Sequence, residues 1–337
     1  MSDVIGHWNS LAEAQKLTES VLVSGIIEET MEVGGLLERL PAVQVKGESI
    51  KWNREKTLPS GELTTTGTQL AWKSNVEYDQ QEETLKQVYM QRVLNNYIAE
   101  VYGTINNYEA ILLMEMKKGN LRTVEDYNVY GDKTNGDALE WDGLHAIVQN
   151  ATGDLNIDEG AGPLSLYNLR KMMDAMKYGC DILLMPHVLA RRIDASLQEA
   201  GIASWVGMGS VVWGKNELGQ RVTYFDGVPI IRSDYLVAEQ STTGLTTTSK
   251  RAKRTSGVNQ YSIFGIKFGD VIAGQPGLCL GFGNTREVGE FFKFDRFDKL
   301  EDYDAAGLRL VAYCCLMLGS SKCLARIADV TDAAVTV

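Results

Sequence analysis

Residues 51–72 read KWNREKTLPSGELTTTGTQLAW. Val43, Val45, Ile50 and Trp52 lead into this stretch with strand-like alternation, broken at Gly47. Leu58-Pro59-Ser60-Gly61 is a turn signal. Thr64–Thr66 and Gln69–Trp72 then return in extended character, and a further extended stretch runs from Glu77 to Leu94. The pattern predicts a long hairpin that is polar on both faces near its tip. A hairpin without an apolar face is marginal in water. This one must lie on something, or across a neighbouring molecule.

On the N-terminal side, residues 9–40 read as an amphipathic helical arm. Leu11, Ala14, Leu17, Val21 and Leu22 recur at three- and four-residue steps. Gly34-Gly35 interrupts the pattern and Pro41 ends it. A short helix with an apolar stripe needs a partner surface.

On the C-terminal side, the best helix is predicted from about Asn96 to Lys118. Ile98, Val101, Tyr102, Ile105, Tyr108, Leu112 and Met116 form its apolar face, and Asn95 or Asn96 caps its start. Lys117 and Lys118 suit the negative end of the helix dipole, and Gly119 suits its exit. From Ala138 onward helices and strands alternate. Ser165 caps a helix through Leu166–Met176, Asp181–Met185 is a strand, and Pro186 opens a helix that stops at Gly201. Strands follow at Val228–Arg232, Tyr261–Lys267, Leu278–Gly281 and Phe291–Phe297. The long apolar strand Tyr303–Leu318 and a last one at Cys323–Asp329 close the chain.

The 337 residues are 44% apolar and 23% charged, an ordinary globular balance with room for a sizeable core. No apolar run reaches the roughly 18–20 residues that span a bilayer, and no signal peptide is visible, so no membrane partner is expected. The net charge of −11 argues against a protein that grips nucleic acid through phosphates. The single tight basic cluster, Lys250-Arg251-Ala252-Lys253-Arg254, sits in a Thr/Ser/Gly-rich stretch. It reads as a solvated loop before it reads as an anion site.

Catalytic and metal chemistry find little support. His7, His145 and His187 each stand alone, and a structural or surface role outweighs catalysis for all three. Gly207-Met208-Gly209-Ser210 and Gly281-Phe282-Gly283-Asn284 lack the lysine and helix of a phosphate loop and read as turns. The acidic run Asp295, Asp298, Glu301, Asp302, Asp304 lacks calcium-loop spacing. Cys180, Cys279, Cys314, Cys315 and Cys323 form no CxxC pair and read as free thiols, with Cys314 and Cys315 on opposite faces of a strand. No catalytic, cofactor-binding or metal residue is assigned, no cofactor is expected, and the chain reads as no enzyme.

The order of these elements resembles the major capsid proteins of tailed bacteriophages, with the Hong Kong ninety-seven-type fold. Leu36-Leu37-Glu38-Arg39-Leu40-Pro41 followed by Trp52-Asn53-Arg54-Glu55-Lys56-Thr57-Leu58-Pro59 resembles the junction of N-terminal arm and extension loop. Trp141-Asp142-Gly143-Leu144 resembles the segment after the spine helix. Asp181-Ile182-Leu183-Leu184-Met185-Pro186 and Gly227-Val228-Pro229-Ile230-Ile231 resemble parts of the axial domain. Leu308-Arg309-Leu310-Val311-Ala312-Tyr313 resembles the long strand of the peripheral domain.

The resemblance implies an α+β chain with an N-terminal arm (1–41) and an extension loop (42–76). It implies a peripheral domain with the spine helix (77–137 and 285–320) and an axial domain (138–284 and 321–337). It implies self-assembly into hexamers and pentamers of an icosahedral virion shell around double-stranded DNA, built in the bacterial cytoplasm. Expected partners are other copies, a portal protein, non-specifically contacted DNA, and a decoration or separate scaffolding protein, because the chain starts almost directly at the arm. Some relatives seal subunits with a lysine–asparagine bond. Lys56 and Lys73 lie in the loop, but no motif assigns the partner asparagine or the assisting carboxylate, and the sequence leaves the crosslink unassigned. An encapsulin-like nanocompartment shell and a soluble α/β enzyme are the alternatives. Nucleic-acid content separates the first from a phage shell, and particle mass separates the second.

Overall fold

The computed structural model describes residues 32, 34–57, 61–69, 77–96, 108–134, 138–149, 151, 153–196, 211–215, 221–239, 260–283, 290–301 and 304–336. The arm residues 1–31, the basic cluster 250–254, His7, Gly207–Ser210 and Lys73 lie outside them.

The longest described strand is β13 (Ala305–Leu318), whose only partly exposed residues are Arg309 and Tyr313. A strand covered on both faces reads as a continuous apolar run, which is why its sequence was recognisable. One edge pairs antiparallel with β4 (Lys86–Asn95) over ten residues. Along the other edge β12 (Phe292–Phe297) and β11 (Leu278–Phe282) lie end to end, both antiparallel. β1 (Ala42–Gln44) adds to β11 in parallel.

The helix predicted at Asn96–Lys118 is described at Tyr108–Tyr130 (α1), and it passes straight through Gly119. Gly119 is there for packing, since a Cβ at this position would stand 2.9 Å from Met90 Sδ of β4. The chain leaves the helix at Gly131 instead, whose N–H still bonds Tyr127 O. Leu112, Met116, Asn120, Val124 and Asn128 recur every four residues and are buried. Leu112 and Met116 pack on Leu94, Leu308 and Leu310, and Asn120 Nδ2 donates to Leu310 O.

A second sheet has the order β5-β14-β10-β6-β9-β8-β7. Its middle is β14 (Leu324–Thr331), β10 (Gln260–Ile266) and β6 (Ile182–Pro186), the last two buried throughout. β5 (Asn156–Asp158) and β9 (Val228–Ser233) flank them, with β8 (Arg221–Phe225) and β7 (Val211–Lys215) beyond. Two short elements, α2 (Leu144–Gln149) and α3 (Leu166–Ala175), cover this sheet, and Ser165 caps α3 by accepting the N–H of Asn168. Pro186 ends β6 and does not open the next helix; α4 starts at His187 and is described to Ser196. Its expected end at Gly201 lies outside the described residues.

One apolar cluster joins the two sheets. Leu184, Phe264, Ile266 and Leu324 meet Leu278, Cys314, Leu316 and Leu318, with Val124, Tyr130, Trp141 and Leu144 between them. The α+β class is therefore as expected, but the sheets divide the chain differently. β11, expected within the 138–284 segment, pairs with β13 of the 285–320 segment, whereas β4 of the 77–137 segment pairs with β13 as the expected grouping has it. Among the described residues all five cysteines are free, and burial pushes their thiols up, to about 11 for Cys180, Cys279 and Cys323 and about 12 for Cys315. Cys314 joins the cluster between the sheets and Cys315 the one under the hairpin, on opposite faces as expected. No helix among the described residues is long and apolar enough to cross a membrane.

Candidate assembly surfaces

The hairpin is present, and the described residues 64–69 are not its return strand. β2 (Ser49–Glu55) pairs antiparallel with β3 (Tyr78–Thr84), Ser49 opposite Thr84 and Glu55 opposite Tyr78. Lys56 N bonding Glu77 O extends the stem by one pair. The described tip residues 61–69 carry no strand; they hold a turn in which Thr68 N donates to Thr65 O. Cross-strand ion pairs Lys51–Glu82 (3.0 Å) and Lys56–Glu77 (3.2 Å) sit on exposed faces. Opposite charges across a stem favour its register where apolar pattern cannot. Leu63, near the tip, is fully exposed.

Only the root has a core. Ile50, Trp52 and Leu85 pack over Val45, Val271, Cys279, Cys315 and Met317 on one face of the β11–β13 sheet. The Arg54 guanidinium stands 5.9 Å from the Trp52 ring centroid and donates to the carbonyls of Leu318 and Gly319, where β13 ends. On the β3 side, Lys133 Nζ bridges Glu83 and Asp142 at 2.9 Å each. Burial raises the Glu83 carboxyl, and Lys133 opposes it. The hairpin is thus clamped at its base from two directions, and its outer part projects.

A second surface lies where the arm enters. Residues 34–40, predicted helical, instead form a single turn closed by Leu40 N to Leu36 O. The Glu125 carboxylate of α1 accepts the N–H groups of Leu36 (3.1 Å) and Leu37 (3.0 Å). Gly34 permits this approach, because a Cβ there would fall 2.4 Å from Glu125 Oε1. Glu32 lies 3.8 Å from Arg122 on the same helix. Beside this junction is a groove of about 650 Å³ between the 36–40 turn, α1 and β12.

Glu125 is only 3% exposed, and burial, opposed by the two amide donors, pushes its carboxyl up to about 7. A carboxyl raised above its unfolded value near 4.5 binds its proton more tightly in the folded chain. Its contribution to stability is then fully present below about pH 4.5 and lost as pH rises through about 7. Glu125→Gln should therefore remove a stability gain, on the order of 3 kcal/mol at most, that the parent shows on acidification from pH 7.5 to 5. Urea titrations across that range read the difference; parallel pH profiles for the two proteins would refute it.

A third feature is internal. His145, Tyr130 and Ser262 converge on Glu239, all buried. Glu239 Oε1 is 2.7 Å from His145 Nε2 and accepts from Tyr130 OH at 3.1 Å, while Oε2 accepts from Ser262 Oγ at 2.7 Å. His145 Nδ1 faces Val129 O at 2.9 Å, and Tyr130 stacks on the imidazole at 4.6 Å. The cluster ties the end of α1 and α2 to β10 of the second sheet. All four side chains are buried and face one another, so the arrangement serves cohesion.

With this architecture in view, solved structures provide the comparison; no family model and no curated protein matches the chain. The SrpI encapsulin complex of Synechococcus elongatus superposes with a TM-score of 0.66 at 13% identity, covering 98% of this chain and 99% of that one. The capsid of the native GTA particle gives 0.64 at 12% identity, covering 96% and 100%. A structure from Mycobacterium phage Bobi gives 0.60 at 11% identity, covering 95% and 98%. The chain has the Hong Kong ninety-seven-type fold.

Within the Hong Kong ninety-seven-type fold, the residues singled out for chemistry disperse. His145 joins the buried cluster, while His187 is half-exposed, 3.3 Å from Asp234. Gly281 lies inside β11, where a Cβ would press on Cys315 Sγ, so the expected turn is a strand at that point. Asp295 pairs with Lys293, Asp298 with Arg296, and Asp304 accepts from Asn96. Among the described residues no three His, Cys, Asp or Glu side chains gather to hold a metal. Lys56 pairs with Glu77. Sequence reading missed Arg54, Lys133, Glu125 and Glu239. Their partners lie far away in the chain, and only a lone acid or base in an extended or helical stretch marked them.

Proposed function

We propose that this protein is the major capsid subunit of a tailed bacteriophage, and not an enzyme. It assembles into hexamers and pentamers of an icosahedral shell that encloses double-stranded DNA. The observation that carries this reading is a projecting hairpin with a clamped root and no core along its outer stem, in a chain whose fold superposes nearly end to end on capsid and encapsulin chains. Such an element gains its packing from a neighbouring copy. In this reading the β13 sheet with α1 is the peripheral domain and the second sheet is the axial domain. β11 then belongs to the peripheral side, and the boundary moves from 284 to before Leu278. A portal protein, a scaffolding or decoration protein, and assembly in a bacterial cytoplasm complete the proposal.

An encapsulin-like compartment is the second reading, favoured by the likeness to the Synechococcus shell. Expression of the full chain with sedimentation, negative-stain microscopy and nucleic-acid assay decides among them. Closed particles competent for DNA when made with the phage's packaging proteins support the capsid. Particles that stay free of DNA and retain protein cargo support the compartment. A monomer or small oligomer under assembly conditions overturns both.

A further inference from the structure

His145 is held between two oxygens. Its Nδ1 lies 2.9 Å from Val129 O at the end of α1, and its Nε2 lies 2.7 Å from Glu239 Oε1. A backbone carbonyl accepts and never donates, so Nδ1 carries a hydrogen. An ionised carboxylate also only accepts. A neutral imidazole beside it would set two lone pairs against each other at 2.7 Å inside the core. We propose that His145 and Glu239 share one proton on the line from Nε2 to Oε1, and that this proton is a working part of the joint between α1, α2 and β10. An imidazolium facing a carboxylate and a neutral imidazole accepting from a carboxylic acid both put that proton between the same two atoms.

The surrounding groups leave this place to the proton. From α1, the Tyr130 ring stacks on the imidazole, and its hydroxyl reaches Glu239 Oε1 and Val237 O while accepting the N–H of Val237. From β10, Ser262 Oγ donates to the other carboxylate oxygen, and Phe264 meets the imidazole edge-on. β14 carries the buried Arg326 opposite Phe264 and the buried Asp329 at the register shift beside Ser262, two formal charges that cancel. The side chains of His145 and Glu239 are only 5% and 0% exposed. An unneutralised charge at such a depth is costly, and the shared proton removes it.

The folded chain then holds one more proton than the unfolded chain in mildly alkaline solution. Unfolded, a glutamate ionises above about pH 4.3 and a histidine is neutral above about pH 6.5. Between those values the unfolded pair also carries one proton, and the joint adds no pH dependence. Above about pH 6.5 it carries none, so the stability contributed by the joint falls as pH rises.

Urea unfolding of the unassembled full-length subunit between pH 7 and 8.5 tests this against Glu239→Gln. The glutamine amide gives Nε2 a hydrogen that does not titrate, while its oxygen still accepts from Ser262. The folding equilibrium constant of the parent should fall, relative to the variant, by about tenfold per pH unit. Parallel profiles would overturn the proposal. Imidazole spectra of the heavy-nitrogen-labelled parent, with His145→Gln for assignment, read the proton without relying on the Glu239 variant. At pH 8, Nε2 should be protonated or accept a strong hydrogen bond, with Nδ1 protonated; a bare lone pair on either nitrogen would equally overturn it. The joint lies within one subunit, so both measurements are independent of shell formation.

Discussion

Deletion of Pro59–Gly67 leaves a folded subunit that no longer closes shells. The deleted residues carry no strand among those described, and they contribute nothing to the clusters that hold the two sheets. The stem register, the Arg54 grip and the Lys133 bridge all lie outside the deletion. The unfolding free energy of the subunit should therefore change by less than about 0.5 kcal/mol, the usual scale for surface changes away from packed features. Shell yield should fall to background in sedimentation and negative stain, because the projecting tip, with its fully exposed Leu63, is the part offered to a neighbour. Normal particles from the deletion would remove the hairpin from the assembly interface.

The largest effect on the subunit itself is expected at Glu239. Glu239→Ala removes the carboxylate that Tyr130, Ser262 and His145 share, among side chains that are all buried. Removing one partner of a buried ionic or hydrogen-bonded cluster costs about 3–5 kcal/mol. Glu239→Gln keeps an oxygen for some of these donors and should cost clearly less. Urea unfolding of the unassembled subunit gives both numbers. A loss under about 1 kcal/mol for the alanine variant, within the range of a single ordinary hydrogen bond, would mean that the cluster does not tie α1 to the second sheet.

Strands with two covered faces were legible from the sequence. β6, β10, β11, β13 and β14 fall within two or three residues of their expected limits, because each is a largely apolar run with little alternation to misread. The Ser165 cap was legible for the same local reason. The return strand of the hairpin was not. Its inner face carries Gln81 and Glu83, so no apolar register marks it, and a more strand-like Thr64–Trp72 drew the assignment. α1 was cut short because its buried ridge continues through Asn120, Glu125 and Asn128, polar residues that find partners only in the folded chain. The clamp residues share that property. Arg54 meets Gly319 from 265 positions away, His145 meets Glu239 from 94, and Glu125 meets Leu36 from 89. No local pattern records such pairings.

The Arg54 grip also sets a load path. The guanidinium holds the carbonyls at the very end of the longest strand, Leu318 and Gly319. A pull on the hairpin directed along β13 therefore loads that strand from its end. The ladder bonds to β4, β11 and β12 lie across that direction, so they resist together in shear and are not peeled one at a time. In an assembled shell, internal pressure would then be carried as tension through β13 and the strands paired to it. Particles bearing Arg54→Ala should be measurably softer under nanoindentation than the parent, and equal stiffness would place the tension elsewhere.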